Sequence, residues 1–119
     1  MYQDVFLIGG TGSVGSTLVS QIYSRGDVER GSNPTPLRIV GIASSSGYLH
    51  DPAGLERDAA VAFSKREEPG TSYSSLLDLL DLTNIAHPGG LVFTDTTAET
   101  GVMRDFHLAV VEHSESGIV

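Results

Sequence analysis

Short apolar runs alternate with longer amphipathic stretches along this chain of 119 residues. Residues 5–8, 37–43 and 91–93 are almost continuously apolar. Such runs are typical of parallel strands covered on both faces, whereas half-exposed strands alternate apolar and polar positions. The last four residues, SGIV, predict the start of a further strand.

Between the apolar runs, hydrophobic residues recur at helical spacing and predict four helices. The residues that carry these patterns are Val14, Leu18, Val19 and Ile22, then more weakly Leu55, Ala59, Ala62 and Phe63, then Leu76, Leu77, Leu79 and Leu80, and finally Val102, Met103, Phe106, Ala109 and Val110. We expect the first helix to stop near Gly26 and the third to end before Pro88. Residues 26–36 and the stretch that opens at 44–47 are polar and predict loops. Strands alternating with helices indicate an α/β fold with a parallel sheet flanked by helices, in a single domain over residues 1–119.

The segment FLIGGTGSVGST, residues 6–17, places a glycine-rich turn between the first predicted strand and the first predicted helix. Counted from Gly10, its spacing is G-x-G-x-x-G, the dinucleotide fingerprint of a Rossmann-like fold. In that motif the first glycine allows the tight turn, the second lets the backbone approach the pyrophosphate, and the third lets helix and strand pack closely. Counted from Gly9, the spacing is G-x-x-G-x-x-G, typical of short-chain reductases, epimerases and some semialdehyde dehydrogenases. Both interpretations predict a nicotinamide dinucleotide, NADP or NAD, at Gly10, Thr11, Gly12, Ser13, Val14 and Gly15.

The end of the second predicted strand bears on the choice between NAD and NADP. A carboxylate there would bind the ribose 2′-hydroxyl of NAD, but residues 43–45 contain none. Ser44 and Ser45 leave room for a 2′-phosphate and offer it hydroxyl donors, which favours NADP. The nearest downstream arginine, however, is Arg57, and this distance argues against NADP. For Ser46, a solvated loop is an equally good interpretation.

Composition excludes several other classes of function. The formal net charge is −8, and the seven Lys and Arg residues are scattered along the chain without forming a basic cluster, which argues against a nucleic-acid partner. The chain has no cysteine, so disulfides, thiolate metal sites and a cysteine nucleophile are excluded within it. The first apolar run stops after Ile8 and is too short for a signal peptide or a membrane span. We therefore expect a soluble, cytoplasmic protein with no membrane partner.

Few side chains are candidates for catalysis or metal binding. His50, His87, His107 and His113 have no zinc-binding spacing, and we expect them at the surface or in loops. Lys65 is the only lysine and lies in a charged run that predicts a solvated face. We assign no catalytic residue and no metal site.

Asp95 differs from the other acidic residues in its position. It follows a predicted buried strand, at the edge where ligands bind in open α/β sheets. The alternative, that Asp95 only caps the following helix, is equally well supported by the sequence.

Four segments resemble, in chain order, the N-terminal nucleotide-binding domain of homoserine dehydrogenase, most strongly the form fused to aspartate kinase. They are VFLIGGTGSVGSTLVSQI, LRIVGIASSSGYL, GLERDAAVAF and LVFTDTTAETGVMRDF. The family's A-x-S segment is matched by Ala43, Ser44 and Ser45, and its D-x-T-[SA] segment by Asp95, Thr97 and Ala98. The resemblance implies that Thr96, Thr97 and Ala98 lie under the nicotinamide end of the cofactor.

The alternative families differ in which glycine begins the loop motif. Gly9 and Thr11 give a G-G-T-G form that is nearer to aspartate-semialdehyde dehydrogenase, but that family lacks the D-x-T-A segment and needs a cysteine. A short-chain reductase would need a Y-x-x-x-K motif, which this chain lacks. The resemblance therefore makes Gly10 the functional first glycine and Gly9 an accessory turn residue.

The resemblance implies an enzyme of amino-acid biosynthesis, on the route to threonine and methionine. The family interconverts homoserine and aspartate semialdehyde by hydride transfer at a nicotinamide. Its T-P-N-K-like segment and its substrate domain would follow Val119, so we expect this piece to bind cofactor without turnover and to form homo-oligomers if its sheet edge pairs with a second copy. A nucleotide-sensing module without catalysis is the hypothesis from a different class.

Overall fold

The computed structural model describes residues 3–24, 36–98 and 101–119. Its strands are β1 (Gln3–Ile8), β2 (Leu37–Ala43), β3 (Tyr48–His50), β4 (Val92–Asp95) and β5 (Gly117–Ile118), and its helices are α1 (Ser13–Ser24), α2 (Arg57–Ser64), α3 (Leu76–Ala86) and α4 (Gly101–His113). Each predicted strand and helix has its counterpart among these elements. The predicted loop at 26–36, with the expected helix stop at Gly26, lies outside the described residues.

The strands form one sheet in the order β3-β2-β1-β4-β5. β1 lies at the centre and pairs in parallel with β2 and β4, and β5 extends the parallel arrangement beyond β4. The carboxyl ends of β1, β2 and β4 therefore meet at one edge of the sheet. This is the α/β arrangement that the sequence predicts, in a Rossmann-like form.

The strand β3 is the element that the sequence analysis missed. It pairs antiparallel with β2 through Gly41↔His50, Ile42↔Leu49 and Ala43↔Tyr48. The polar stretch at 44–47 is therefore the turn of a β-hairpin rather than the opening of a long loop. A backbone bridge between Tyr48 and Thr71 adds a further contact on the outer side of β3.

The helices cover both faces of the sheet and enclose two apolar clusters. The cluster under α1 and α2 contains Val5, Leu7, Val19, Ile22, Ile39, Ile42, Ala60 and Phe63. The cluster under α3 and α4 contains Phe6, Ile8, Val40, Ala43, Leu79, Leu80, Leu91, Phe93, Met103, Phe106 and Val110. Successive residues of β1 alternate between the two clusters because side chains of a strand point to opposite faces. The central strands are apolar without interruption for this reason.

The alternation of side chains between the two apolar clusters is shifted by one residue at Gly41 in β2. The pairing of β1 with β2 changes register there, from Val5↔Ile39 to Phe6↔Gly41. A Cβ on Gly41 would lie 2.2 Å from the ring of Phe6. A glycine inside a strand often marks such an irregularity, because it lets a neighbouring group approach the backbone closely. The Phe6 ring fills the space over Gly41 and lies 5.6 Å from the ring centre of Phe93.

The start of α3 is fixed by its own side chains. The carboxylate of Asp78 accepts hydrogen bonds from the backbone amides of Ser74 (3.3 Å) and Ser75 (3.2 Å). An acidic residue in the first turn satisfies amides that have no partner in the helix and interacts favourably with the helix dipole. None of the helices in the described ranges is long and apolar enough to cross a membrane.

We predict that Gly41→Ala lowers the free energy of unfolding by about 1–3 kcal/mol, because the methyl group must displace the Phe6 ring in a packed core. Urea unfolding measures the difference. Gly89→Ala is the matched control, since a Cβ there meets no atom within 4 Å. Equal stability of the two variants would contradict the packing described here.

Candidate functional site

The glycine loop joins β1 to α1 at the carboxyl edge of the sheet. The amides of Gly9 and Gly10 both donate to the carbonyl of Ala43, at 2.9 and 3.2 Å, which ties the loop to the end of β2. The amide of Gly12 then donates to the carbonyl of Gly9 at 3.1 Å. The chain reverses within these four residues and enters α1.

The glycines of the loop have different structural roles. Gly9 has φ +85°, a conformation that L side chains rarely adopt. A Cβ on Gly10 would lie 2.1 Å from Ile42, and one on Gly15 would lie 2.1 Å from the carbonyl oxygen of Gly9. The tight-turn role that the sequence analysis gives to Gly10 is therefore carried by Gly9, while Gly10 and Gly15 allow close packing.

Gly12 is the glycine with space around it. A Cβ there would meet only the carbonyl oxygen of Gly9, at 3.5 Å, which is an ordinary contact. The fold itself therefore does not require glycine at this position. The other glycines of the motif are packed against neighbouring atoms, whereas Gly12 leaves room for a ligand to approach the backbone.

The amino end of α1 supplies hydrogen-bond donors beside Gly12. The first backbone bond of the helix runs from the amide of Ser16 to the carbonyl of Gly12, at 2.8 Å. The amides of Ser13, Val14 and Gly15 precede this bond and have no acceptor within the helix. Together with the positive end of the helix dipole, they form a site suited to a phosphate group. The side chains of Ser13 and Val14 lie on the outer surface of α1, so these two residues can contribute through their backbone.

Thr96 holds the end of β4 against the glycine loop. Its hydroxyl lies 2.9 Å from the carbonyl oxygen of Ile8 and 3.1 Å from that of Gly9, and it donates to them. Its backbone amide also donates to Ile8, at 3.0 Å. The structure thus gives Thr96 a positioning role, because its hydroxyl proton is used by the protein itself.

Asp95 organises the turn that follows β4. One carboxylate oxygen accepts the backbone amide of Thr97 at 2.8 Å and its hydroxyl at 2.7 Å. The other lies 2.8 Å from Nε2 of His107 on α4. These bonds are local to the turn after β4 and to His107, and the alternative that Asp95 caps the following helix stays a prediction. Ala98 is exposed at the end of this turn.

Two clefts open along the carboxyl edge of the sheet, and both are bordered by Ser44 and Ser45. The first cleft, of about 330 Å³, is lined by Thr11, Ser44, Ser45, Ser46, Phe63, Arg66, Glu68, Pro69, Gly70 and Ser72. The second cleft, of about 440 Å³, is lined by Ile8, Gly9, Ser44, Ser45, Tyr73, Ser74, Ser75, Leu76, Thr97, Val102 and Met103. The clefts therefore run from the end of β2, past the glycine loop, to the end of β4. The fold brings together the predicted loop, the serines and Thr97 along one path.

The serine turn is held in place by contacts within and beside it. The amide of Ser44 donates to the carbonyl of Gly47 at 2.8 Å, and the amide of Ser46 donates to the Ser44 hydroxyl at 3.3 Å. The phenol of Tyr73 donates to the carbonyl of Ser44. Burial raises the pKa of the Tyr73 phenol, so it remains a hydrogen-bond donor at neutral pH. Tyr73 is a residue of the site that the sequence analysis did not identify.

Arg66 is the second residue of the site that the sequence analysis missed. It has φ 62° and is the non-glycine residue with a positive φ among those described. It follows α2 in a Schellman motif: its amide donates to Phe63 at 3.0 Å, and the amide of Glu67 donates to Ala62 at 2.8 Å. Glycine is the usual residue at this position because a side chain costs about 1–2 kcal/mol there. The cationic side chain thus occupies a strained position beside the serine turn, and only the folded chain reveals this proximity.

The four histidines differ in their burial and in their contacts. His87 lies in the loop directly after α3, as expected, but is buried there, and His50 lies half-buried in the edge strand β3 rather than in a loop. His107 lies in α4 and contacts Asp95, whereas His113 is exposed. No group of three or more metal-ligating side chains within the described residues is arranged to hold a metal ion.

The strand order and the glycine loop place this chain in the class of Rossmann-like α/β domains. The structure is similar to the crystal structure of homoserine dehydrogenase from Thermoplasma acidophilum, with a TM-score of 0.69 and 16% sequence identity. The match covers 99% of this chain and 34% of that one, so the chain spans about a third of the enzyme's length. No protein-family model and no curated protein matches the sequence. At this identity the similarity shows a shared fold, and it agrees with the resemblance drawn from the sequence.

We predict that Thr96→Val lowers the free energy of unfolding by about 1 kcal/mol, because an isosteric side chain replaces the hydroxyl that joins β4 to the glycine loop. Thermal or urea unfolding measures the loss. Thr94→Val makes the same atomic change within β4, two residues before Thr96, and we expect an effect within about 0.5 kcal/mol, since both residue types favour strands. Similar losses in both variants would argue against a special role for the Thr96 hydroxyl.

Proposed function

We propose that this chain is the dinucleotide-binding domain of an NAD(P)-dependent oxidoreductase of the homoserine dehydrogenase type. In the whole protein, the reaction would be the interconversion of homoserine and aspartate semialdehyde by hydride transfer. The observation that carries the proposal is the open space around Gly12 at the amino end of α1, in a loop whose Thr11 borders the first cleft and whose Gly9 borders the second. The structural similarity to a homoserine dehydrogenase supports it at the level of the fold.

The local charge supports a bound pyrophosphate. The chain as a whole carries a formal charge of −8, yet residues 9–24 contain no acidic side chain. A pyrophosphate over residues 10–15 would therefore meet backbone amides and the positive end of a helix, with no carboxylate from this segment opposing it. The excess of negative charge lies elsewhere in the chain.

The two clefts suit the two halves of a dinucleotide. We assign the adenosine ribose to the first cleft, where the serine turn lies, and the nicotinamide end to the second cleft. Ile8, Leu76, Val102 and Met103 give the second cleft an apolar lining, and Thr97 lies at its border. An apolar pocket with a few polar groups is suited to a flat ring that must be oriented. Thr97 and Ala98 are then positioning residues at the nicotinamide end.

We further propose that NADP is preferred over NAD. The serine turn places no carboxylate at the end of β2, and the fold brings Arg66 to the border of the same cleft. Arginine is the residue type best suited to a phosphate monoester, because its donors match the phosphate oxygens. Glu68 borders the same cleft and opposes this preference. The strength of the preference for NADP therefore depends on the balance between Arg66 and Glu68.

Catalysis would require groups beyond those described here. The chain spans about a third of the homoserine dehydrogenase it resembles in structure, and we propose that the residues which orient the substrate belong to the remaining part. Orientation of the reactants accounts for up to about 7–11 kcal/mol of an enzymatic barrier. A protein that binds cofactor but remains inactive as a complete reading frame would instead be a nucleotide-sensing module.

We predict that the chain binds NADP or NAD in calorimetry and that Gly12→Val abolishes binding, because the new side chain occupies the space of the pyrophosphate. The variant should fold normally, since a Cβ at this position meets only an ordinary contact. Gly15→Ala is the contrasting variant and should lower stability, because its Cβ would overlap the carbonyl of Gly9. A folded Gly12→Val variant with unchanged affinity would rule out the assigned pyrophosphate position.

We predict that Arg66→Gln lowers the ratio of NADP to NAD affinity by about tenfold, the effect of losing one hydrogen bond to a charged group. Arg57→Gln is the charge-matched control, because Arg57 lies at the start of α2 and does not border the first cleft. Arg66→Gly should lose the same selectivity while raising the free energy of unfolding by about 1 kcal/mol, since it relieves the positive φ. An unchanged ratio in both Arg66 variants would remove Arg66 from the ribose subsite.

A further inference from the structure

A row of polar side chains connects four elements on the α3 side of the sheet, away from both clefts. Arg38 of β2 donates to the two carboxylate oxygens of Asp4 on β1, at 2.7 and 3.1 Å. Nδ1 of His87, at the end of α3, lies 3.4 Å from the same carboxylate. Nε2 of His87 lies 3.0 Å from Nε2 of His50 on β3. We call these four side chains the histidine network.

The contact between the two imidazoles admits only one proton. At 3.0 Å, one Nε2 atom must donate and the other must accept. Nδ1 of His87 faces the carboxylate of Asp4, and its Nε2 faces His50. When both rings carry a proton on each nitrogen, two N–H groups face each other, and the hydrogen bond is replaced by repulsion between like charges.

Burial strengthens this restriction. The side chain of His87 is only 5% exposed, so it cannot turn into water without leaving its place. The ring of His50 packs against Phe6, with ring centres 6.1 Å apart. Burial and the proximity of His87 lower the pKa of His50 below its ordinary value of 6.5, and neighbouring Asp51 acts in the opposite direction.

The sign of the pH dependence follows from this shift. The folded state disfavours the charged form of His50, whereas the unfolded chain accepts its proton near pH 6.5. The contribution of the His50 contact to stability is therefore complete above that value. It is lost progressively as the pH falls below it.

The histidine network also bears on the clefts, because His50 belongs to the serine hairpin. β3 has three residues and is joined to β2 directly through the turn at 44–47. Ser44 and Ser45 of that turn border both clefts. The His50–His87 contact is a side-chain connection from this hairpin to α3, so its loss leaves β3 held by its backbone pairing with β2 and by the bridge between Tyr48 and Thr71.

We propose that His50 and His87 form a pH-sensitive latch that fastens the serine hairpin to α3 and releases it when both rings are protonated. The release lowers the affinity of the clefts for their ligand. This second consequence rests on the proposed dinucleotide-binding function, whereas the latch itself does not.

Hydrogen exchange tests the latch without any ligand. The amide of Asp51, which donates to Val40 at 2.8 Å directly after β3, reports opening of the hairpin. We expect its protection factor to fall from about pH 7.5 to about pH 5.5, the range in which histidine titrates. His50→Gln should remove this pH dependence, because its amide can still donate to His87 but cannot be protonated. His113→Gln, at an exposed histidine, should behave as the wild type does.

The global stability supplies a second measurement. One proton taken up on unfolding changes the unfolding constant by up to about tenfold per pH unit. We expect the wild-type slope below about pH 6.5 to exceed that of His50→Gln by up to this amount. An Asp51 protection factor that depends on pH equally in the wild type and in His50→Gln would overturn the latch, and so would equal slopes of stability.

The affinity for NAD tests the connection to the clefts. NAD is the appropriate probe because the 2′-phosphate of NADP itself titrates near pH 6, as phosphate monoesters do. We expect NAD affinity to fall towards acidic pH in the wild type and to stay constant in His50→Gln. Constant affinity in both would contradict the connection. A failure to bind NAD or NADP at any pH would contradict the proposed function, while the exchange measurement would still decide on the latch.

Discussion

The close approach of three backbone segments at the glycine loop determines the geometry of the whole carboxyl edge. The carbonyl of Gly9 receives the amide of Gly12 and the hydroxyl of Thr96, and Gly15 packs directly against it. A Cβ at Gly9 would lie 2.9 Å from Thr96 and Thr97, one at Gly10 would lie 2.1 Å from Ile42, and one at Gly15 would lie 2.1 Å from the carbonyl oxygen of Gly9, so each would force a shift in the loop. Because these positions lack side chains, the amino end of α1 lies beside the ends of β2 and β4. The clefts and the proposed phosphate site both follow from that distance.

Most of the fold could be predicted because its elements leave local patterns. The central strands are buried on both faces, so their sequences are continuously apolar, and each helix buries one stripe of residues against the sheet. β3 leaves no such pattern. It has three half-buried residues at an edge, too few for an alternation to be recognised, and its pairing with β2 depends on the hairpin turn rather than on a hydrophobic face.

The same distinction between local patterns and contacts of distant segments applies to the candidate site. The glycine spacing and the serines after β2 are local in sequence, so the loop and one wall of the clefts could be predicted. Arg66 and Tyr73 come to the serine turn from distant parts of the chain, and the contact between Asp95 and His107 joins a strand to a helix. Spacing within the sequence contains no record of such contacts, because they arise when α2, α3 and α4 pack on the sheet. The turn conformation at Gly9 was equally hidden, since two neighbouring glycines offer the same freedom.

The antiparallel hairpin separates one wall of the clefts from the parallel core. Parallel strands keep their register through long connections that include whole helices, whereas a hairpin keeps its register through its own turn. The pairing of β1 with β4 therefore does not depend on the side chains of Ser44, Ser45 and Ser46. A substitution in this turn can therefore alter the proposed cofactor preference, whereas side chains at Gly9, Gly10 and Gly15 are excluded by the side-chain and backbone atoms that surround them.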